Sequence, residues 1–205
     1  MGTYIDMGND AFASARNGLY VDKTGLIPVV NGTINTKQRY SCVSRCRRFG
    51  KSMAAKMLAA YYDRSCDSRE LFRGLQAERD PSFEEHLNRY PVIFIQVTDF
   101  TTRYKGESIM LHIQQQLIAD VAKAYPDVPA EEGDDLMEYL TRIAITKGEK
   151  FIFLIDEWDA ILRECPAFTD DFVNWLRRMF KGNNTERVFA AVYMTGILPI
   201  KKYKT

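Results

Sequence analysis

The 205-residue sequence predicts a single α/β domain with three layers, in which helices cover both faces of a mainly parallel β-sheet. Two observations predict this fold. Short apolar runs alternate with segments of helical periodicity, as they do in βαβ units. The runs also lack polar alternation, which is typical of parallel strands covered on both faces. With 46% apolar residues, the chain can bury a substantial core.

Four apolar runs are the predicted strands. They are YSCVS from Tyr40, VIFIQV from Val92, FIFLI from Phe151 and VFAAVYMT from Val188. Runs of this length and composition indicate strands buried in the interior of a sheet. We therefore expect all four strands to be buried.

Apolar residues at helical spacing predict four helices among these strands. Their inward-facing residues are Met53, Met57, Leu58 and Tyr61, then Ile109, Ile113, Leu117 and Val121, then Leu136, Leu140 and Ile143, and last Phe172, Leu176 and Met179. Thr169 is the predicted N-cap of the fourth helix, and Gly182 is its predicted end. Residues 31–37, 66–91 and 125–134 are predicted loops.

The distribution of charge is more informative than its sum. The formal net charge is +1, which gives no reason to expect nucleic acid or an anionic membrane as a partner. No acidic residue occurs between Asp22 and Asp63, however, whereas eight lysines and arginines fall in that span. The sequence has no signal peptide and no apolar run of membrane-spanning length, and its four cysteines are scattered. We expect a cytoplasmic protein without a membrane partner.

The segment SRCRRFGKSM, residues 44–53, ends like a phosphate-binding loop. In such a loop, backbone N–H groups and the N-terminus of the next helix surround the phosphates of a nucleotide. A lysine reaches the β- and γ-phosphates, and a Ser or Thr hydroxyl holds Mg²⁺. These roles predict Lys51 as a catalytic, phosphate-binding residue and Ser52 as a metal ligand.

One position of this loop departs from the usual signature. Arg45 stands where the first glycine is expected, so the chain must enter the loop in another conformation. The alternative reading is a basic turn before a helix. The candidate nucleotide-binding residues are Arg45, Cys46, Arg47, Arg48, Phe49, Gly50, Lys51, Ser52 and Met53.

The segment FIFLIDEWDA supplies a second motif. Asp156 and Glu157 follow five apolar residues, so they are predicted at the carboxyl end of a buried strand, facing the crevice where the phosphate loop lies. In that position Asp156 is a candidate Mg²⁺ ligand and Glu157 a candidate catalytic base that polarises water. The alternative is an acidic pair that merely ends a strand.

Thr195 ends the fourth predicted strand, in the run AAVYMTG. If this strand lies beside the strand of Asp156, the hydroxyl can orient water or sense the γ-phosphate. Thr195 is therefore a third catalytic candidate. The alternative is a threonine that caps a strand.

At these residues the chain resembles the AAA-ATPase-like family, which is widespread in bacteria. The resemblance rests on GLYVDKTGLI, RCRRFGKS, YPVIFIQV, LIDEWDAIL and MTGILPIKK, which are spread over nearly the whole chain. The family loop typically reads RPRRFGKS. Arg45 therefore agrees with the family, whereas Cys46 replaces its usual proline and leaves the loop less rigid.

The resemblance implies a P-loop NTPase fold of the AAA type, with ATP and Mg²⁺ as cofactors. It assigns Lys51 and Ser52 to the Walker A motif, Asp156 and Glu157 to Walker B, and Thr195 to a sensor position. In the family this module commonly continues into a helical lid and a restriction-like nuclease domain. We expect residues 1–205 to be one nucleotide-binding domain that stops short of both, with weak hydrolysis in isolation.

The N-terminal segment has weaker assignments. Residues 1–38 are expected to pack on the core, and Tyr20, Val21 or Ile27 are candidates for lining the adenine. The sequence assigns no role to Asp22 or Lys23.

Two arginines raise the question of partners. Arg177 and Arg178, near the end of the fourth predicted helix, are candidates for an arginine lent across a subunit interface. A homo-oligomer or a C-terminal effector domain is therefore a candidate partner.

Four functional hypotheses remain open on the sequence. The leading one is an ATP-hydrolysing module that powers or regulates an attached domain. A nucleotide-gated switch with negligible turnover uses the same residues. A nucleic-acid site would use Arg47 and Arg48, but no nucleic-acid-binding motif supports it. A small-molecule kinase would share the loop, but no acceptor site is recognisable.

Overall fold

The computed structural model describes residues 2–104 and 108–198, and it is an α/β structure. The strands are β1 Tyr40–Ser44, β2 Val92–Gln96, β3 Phe151–Asp156 and β4 Phe189–Gly196. The helices are α1 Asp10–Arg16, α2 Leu26–Asn31, α3 Lys51–Tyr62, α4 Arg69–Phe72, α5 Phe83–His86, α6 Val97–Arg103, α7 Ile109–Ala124, α8 Leu136–Lys147, α9 Ala160–Glu164, α10 Thr169–Lys181 and α11 Thr185–Val188. Short 3₁₀ turns lie at Gln76–Arg79 and Pro166–Phe168.

The four strands form one parallel sheet in the order β1-β4-β3-β2. This confirms the predicted α/β fold with a parallel sheet. Because β4 lies between β1 and β3, residues far apart in sequence meet at one edge. Val43 of β1 pairs with Thr195, and Met194 pairs with Ile155 of β3.

Helices cover both faces of the sheet, which follows from the alternation of side chains along each strand. Phe153 and Ile155 face a core formed with α7, α8 and α10. Ile152 and Leu154 face the opposite core, formed with α1, α2 and α3. The four predicted helices are α3, α7, α8 and α10, and their predicted inward residues are buried or half-buried.

Local sequence signals explain three of the helix boundaries. Asp135 and Glu138 form a capping box at the start of α8, and Gly148 ends that helix with a left-handed φ of 67°. Gly182 ends α10, as predicted. Thr169 is the first residue of α10 and not its N-cap, because a 3₁₀ turn at Pro166–Phe168 runs directly into the helix.

Three further details differ from the sequence prediction. The first strand is not buried: β1 lies at the end of the strand order, and Tyr40 and Cys42 are exposed. The fourth strand begins at Phe189, because Val188 ends the short helix α11. The predicted loop 66–91 holds α4, α5 and a 3₁₀ turn, which are too short to show a helical period.

The N-terminal residues pack along the outer edge of β2. Ile5 forms an antiparallel bridge with Ile93, and the Phe94 N–H donates to the Tyr4 carbonyl at 2.8 Å. The Asp120 carboxylate of α7 accepts from the Tyr4 N–H at 2.7 Å. Pairing of this kind satisfies the backbone groups of an edge strand.

Within the described ranges, no helix is both long enough and apolar enough to cross a membrane. The final residues of the MTGILPIKK motif, 199–202, lie outside the described ranges.

Candidate functional site

The candidate site lies where β1, β3 and β4 end at the carboxyl edge of the sheet. β1 leads into the predicted phosphate loop, β3 ends at Asp156, and Thr195 is the second-last residue of β4. The fold therefore brings the three sequence motifs to the same edge. Crevices at this edge of a parallel sheet are the usual ligand sites of α/β proteins.

The loop between β1 and α3 needs no glycine at its start. The Arg45 N–H donates to the Gly196 carbonyl at 3.2 Å, so Arg45 continues the β1–β4 ladder beyond Ser44. The left-handed residues of this loop are instead Arg48, with φ of 67°, and Gly50, with φ of 74°. The chain thus enters the loop in another conformation, as expected from the sequence.

The loop ends at the N-terminus of α3, whose first turn has free backbone donors. Gly50 is the N-cap and has no side chain to accept from them. The N–H groups of Lys51, Ser52 and Met53 therefore have no partner within the helix. Together with the helix dipole, such donors favour an anion at this position.

Cations surround this helix terminus. Residues 45–49 are all exposed, and three of them are arginines. Within the described part of the chain, no carboxylate lies within ion-pair distance of Arg45, Arg47, Arg48 or Lys51. The positive charge is therefore available to a ligand.

The Lys51 side chain folds back across the loop. Its ammonium donates to the Cys46 carbonyl at 3.0 Å. The contact uses the Cys46 backbone, so the cysteine side chain plays no part in it. Ser52 and Met53 follow on the first turn of α3 and are half-buried.

Asp156 is fully buried at the end of β3. Its Oδ1 accepts from the Thr195 hydroxyl of β4 and from the Glu157 N–H at 3.1 Å. Its Oδ2 is also buried, and it has no hydrogen-bond partner among the described residues. A buried carboxylate oxygen without a partner costs free energy unless a donor or a cation binds it.

Glu157 has an unusual backbone conformation. Its φ of 52° lies in the left-handed region, which costs a non-glycine residue roughly 1–2 kcal/mol. The next residue, Trp158, donates its N–H to the Thr195 carbonyl at 2.9 Å and holds the turn in place. Backbone strain of this kind is concentrated at functional sites, where it sets the direction of a side chain. The Glu157 side chain is half-exposed.

Asp159 belongs to the same turn, and the sequence motifs gave it no role. This fully buried carboxylate accepts from the N–H groups of Ile197 at 3.2 Å and Leu198 at 3.1 Å, and pairs with Arg163 at 3.1 Å. A Cβ at Gly196 would lie 2.7 Å from the Asp159 Oδ1. In the sequence, the only indication of this role was an acidic residue, Asp159, two positions after Glu157.

The adenine candidates differ in accessibility. Ile27 is fully buried in the core beside α3, so the prediction that it lines a base pocket is wrong. Tyr20 is half-buried with its ring edge against Phe12, at 5.4 Å between centroids, and Val21 is exposed. A contact of Tyr20 or Val21 with the adenine stays a prediction.

Arg177 and Arg178 lie in the last turns of α10 and are exposed. They line an open groove of about 720 Å³ between α7 and α10, which contains no residue of the phosphate loop. Because α10 runs back from the carboxyl edge of the sheet toward the start of β4, these arginines do not join the site of their own chain. Their role across a subunit interface stays a prediction.

One comparison with known proteins identifies a family for this chain. A search of curated proteins gives no match. The family model AAA-ATPase-like, described as a predicted AAA-ATPase, matches residues 7–204. That range includes the predicted phosphate loop, the acidic turn after β3 and the end of β4. The chain therefore belongs to the AAA-ATPase-like family, the predicted AAA-ATPases.

Proposed function

We propose that this chain is a Mg²⁺-dependent ATPase module, which binds ATP at the carboxyl edge of its sheet and hydrolyses it to ADP and phosphate. One observation carries the proposal: a basic loop at a helix N-terminus and a buried carboxylate with an unpartnered oxygen lie at the same edge of the sheet. The family description, predicted AAA-ATPase, supports nucleotide binding.

The loop supplies the phosphate contacts. The N–H groups of Lys51, Ser52 and Met53 donate to phosphate oxygens, and the Lys51 ammonium exchanges the Cys46 carbonyl for the β- and γ-phosphates. The three loop arginines have no carboxylate partner in the described structure, so they add positive potential for a triphosphate.

The residues fit a magnesium ion. Mg²⁺ prefers oxygen ligands and is commonly held by one or two protein groups together with phosphates and water. The unpartnered Asp156 Oδ2 and the Ser52 hydroxyl are the groups that would hold it. When bound, the ion neutralises charge on the phosphates.

Glu157 acts as the base that orients and polarises the attacking water. Its strained turn presents the side chain beside Asp156, at a place that is neither buried nor fully exposed. Thr195 donates its hydroxyl to the Asp156 carboxylate, and its carbonyl accepts from the Trp158 N–H. It thereby fixes the acidic turn on both sides of Glu157.

Release of phosphate from ATP tests this function. The wild-type chain should release phosphate above background when Mg²⁺ is present, and Glu157→Gln should abolish that release. Glu132→Gln is a matched control, because Glu132 is exposed in the loop before α8 and far from the site in sequence. Equal release from wild type and Glu157→Gln would contradict the proposal.

A nucleotide-gated switch is the second candidate, and the Asp159 contacts favour it. Asp159 accepts hydrogen bonds from the N–H groups of Ile197 and Leu198. A conformational change in the acidic turn would therefore also move the residues that follow β4. Binding of ATP without turnover in the wild type, unchanged in Glu157→Gln, would favour this switch over the enzyme.

A further inference from the structure

A second lysine reaches the phosphate loop from the N-terminal segment. Lys23 donates its ammonium to the carbonyl of Phe49, the residue before the N-cap of α3. The two residues are 26 positions apart in the chain. No sequence motif for phosphate binding includes a residue at this place, and the sequence assigned Asp22 and Lys23 no role.

The backbone that carries Lys23 is fixed on both sides. Asp22 accepts from the Thr24 N–H at 2.8 Å and from its hydroxyl at 2.7 Å, which closes a tight turn around Lys23. The other Asp22 oxygen accepts from the Gln76 N–H at 2.8 Å, and the Thr24 hydroxyl accepts from the Ala77 N–H at 3.1 Å. The turn is therefore anchored to a separate part of the chain.

The ionisation of Asp22 agrees with this anchoring. Partial burial acts to raise the pKa of Asp22, but the hydrogen bonds from Thr24 and Gln76 outweigh it and lower the pKa below its usual value. Asp22 is consequently a carboxylate at neutral pH and keeps all three hydrogen bonds.

The ammonium lies directly against Gly50. A Cβ at Gly50 would be 2.7 Å from the Lys23 Nζ and 3.5 Å from its Cε. Gly50 also has a φ of 74°, which other residues adopt only with strain. Glycine at this position therefore serves both the turn into α3 and the close approach of Lys23.

Lys23 has no acidic partner to explain its position. In residues 2–104 and 108–198, no carboxylate lies within ion-pair distance of its ammonium. Arg48 of the loop and Lys51 at the start of α3 are further cations in the same region. A cation added to a basic loop is unfavourable by itself, so the hydrogen bond to Phe49 is the contact that holds it there.

We propose that Lys23 is a positioning residue of the phosphate loop. It clamps the Phe49 carbonyl from a rigid turn, and so holds Gly50 in the conformation that presents the first-turn N–H groups of α3 to phosphate. The benefit for a ligand rests on the proposed function, that is, on nucleotide binding at this loop.

Hydrogen exchange of the ligand-free protein tests the clamp independently of nucleotide. Lys23→Met should accelerate amide exchange at Ala54, whose N–H donates to the Gly50 carbonyl at 2.9 Å, by about three- to tenfold, the effect of losing one hydrogen bond. Lys23→Arg keeps a donor and should exchange like wild type. Lys37→Met, at an exposed lysine in the loop before β1, is the matched control. Unchanged exchange at Ala54 in Lys23→Met would overturn the proposal.

Titration with Mg-ATP tests the consequence. Lys23→Met should weaken binding by about tenfold, and Lys23→Arg should restore most of the affinity. A residue that only stabilises the fold would leave the affinity of the folded protein intact. Wild-type affinity in Lys23→Met would overturn the positioning role. Absence of binding in the wild type would instead refute the proposed function, and the exchange experiment would still decide on Lys23.

Discussion

Replacing Asp156 by asparagine is expected to stabilise the ligand-free protein and to remove its response to Mg-ATP. Asp156 is fully buried, and only its Oδ1 has hydrogen-bond partners among the described residues. An asparagine with its amide oxygen at the Oδ1 position keeps the bonds from Thr195 and Glu157 and places a neutral group at the Oδ2 position. The substitution therefore removes a buried charge at nearly constant volume.

The size of the effect follows from opposing contributions. A buried carboxylate with one unpartnered oxygen costs several kcal/mol of desolvation, which the substitution relieves. The two retained hydrogen bonds change from charged to neutral acceptors, and each loses about 1 kcal/mol. The amide NH₂ group at the Oδ2 position is buried without a partner among the described residues, which costs roughly a further 1–3 kcal/mol. The balance is a stabilisation of up to about 2 kcal/mol. For a chain of this size each kcal/mol raises the melting temperature by about 2–4 °C.

Thermal unfolding with and without Mg-ATP measures both parts of this prediction. The Asp156→Asn protein should melt at a higher temperature than wild type without ligand, and Mg-ATP should raise its melting temperature less than it raises that of wild type. Asp171→Asn, at an exposed position of α10, serves as the control for loss of one surface carboxylate. A lower melting temperature of ligand-free Asp156→Asn, or a full ligand response, would refute the reasoning.

Three further variants probe the surroundings of the site and the core. Thr195→Val removes the hydroxyl that donates to Asp156 and should cost about 1–3 kcal/mol in denaturant unfolding, whereas Thr195→Ser should stay near wild type. Glu157→Asn should be more stable than Glu157→Gln by up to about 1 kcal/mol, because asparagine tolerates the left-handed φ, and equal stability would contradict the strain. Burial lowers the pKa of His86 from 6.5, so its contribution to stability is complete above pH 6.5 and is lost as the pH falls through the lowered pKa. His86→Gln should consequently lose less stability than wild type between about pH 7.5 and about pH 5, as measured by urea unfolding at each pH.

The sheet was predictable because its strands are short apolar runs with clear limits. Phe151–Asp156 and Val92–Gln96 coincide with the predicted runs to within one residue. The predicted burial of β1 is wrong: its run YSCVS contains Ser41 and Ser44, and β1 lies at the end of the strand order with Cys42 exposed. Which strands become neighbours in a sheet depends on long-range packing, and a local sequence pattern does not contain that information.

The motifs of the candidate site were recognisable in the sequence, but the residues that hold these motifs in place were not. Lys51, Asp156 and Thr195 come from segments with a recognisable order of strand, loop and helix. Lys23 and Asp159 act through contacts with residues that are distant in sequence, so no spacing rule identified them. Their contacts emerged only when the fold brought the N-terminal segment to the phosphate loop and the end of β4 to the acidic turn.

Equilibrium titration of the wild-type chain and Lys51→Ala with Mg-ATP tests the central claim most directly. Lys56 lies on the same helix, so Lys56→Ala is a control with the same change of charge. The wild type and Lys56→Ala should bind ATP, and Lys51→Ala should bind at least about tenfold more weakly, because it loses a charged hydrogen-bond donor to phosphate. Equal binding by wild type and Lys51→Ala, or no binding by the wild type, would contradict a nucleotide site at this loop.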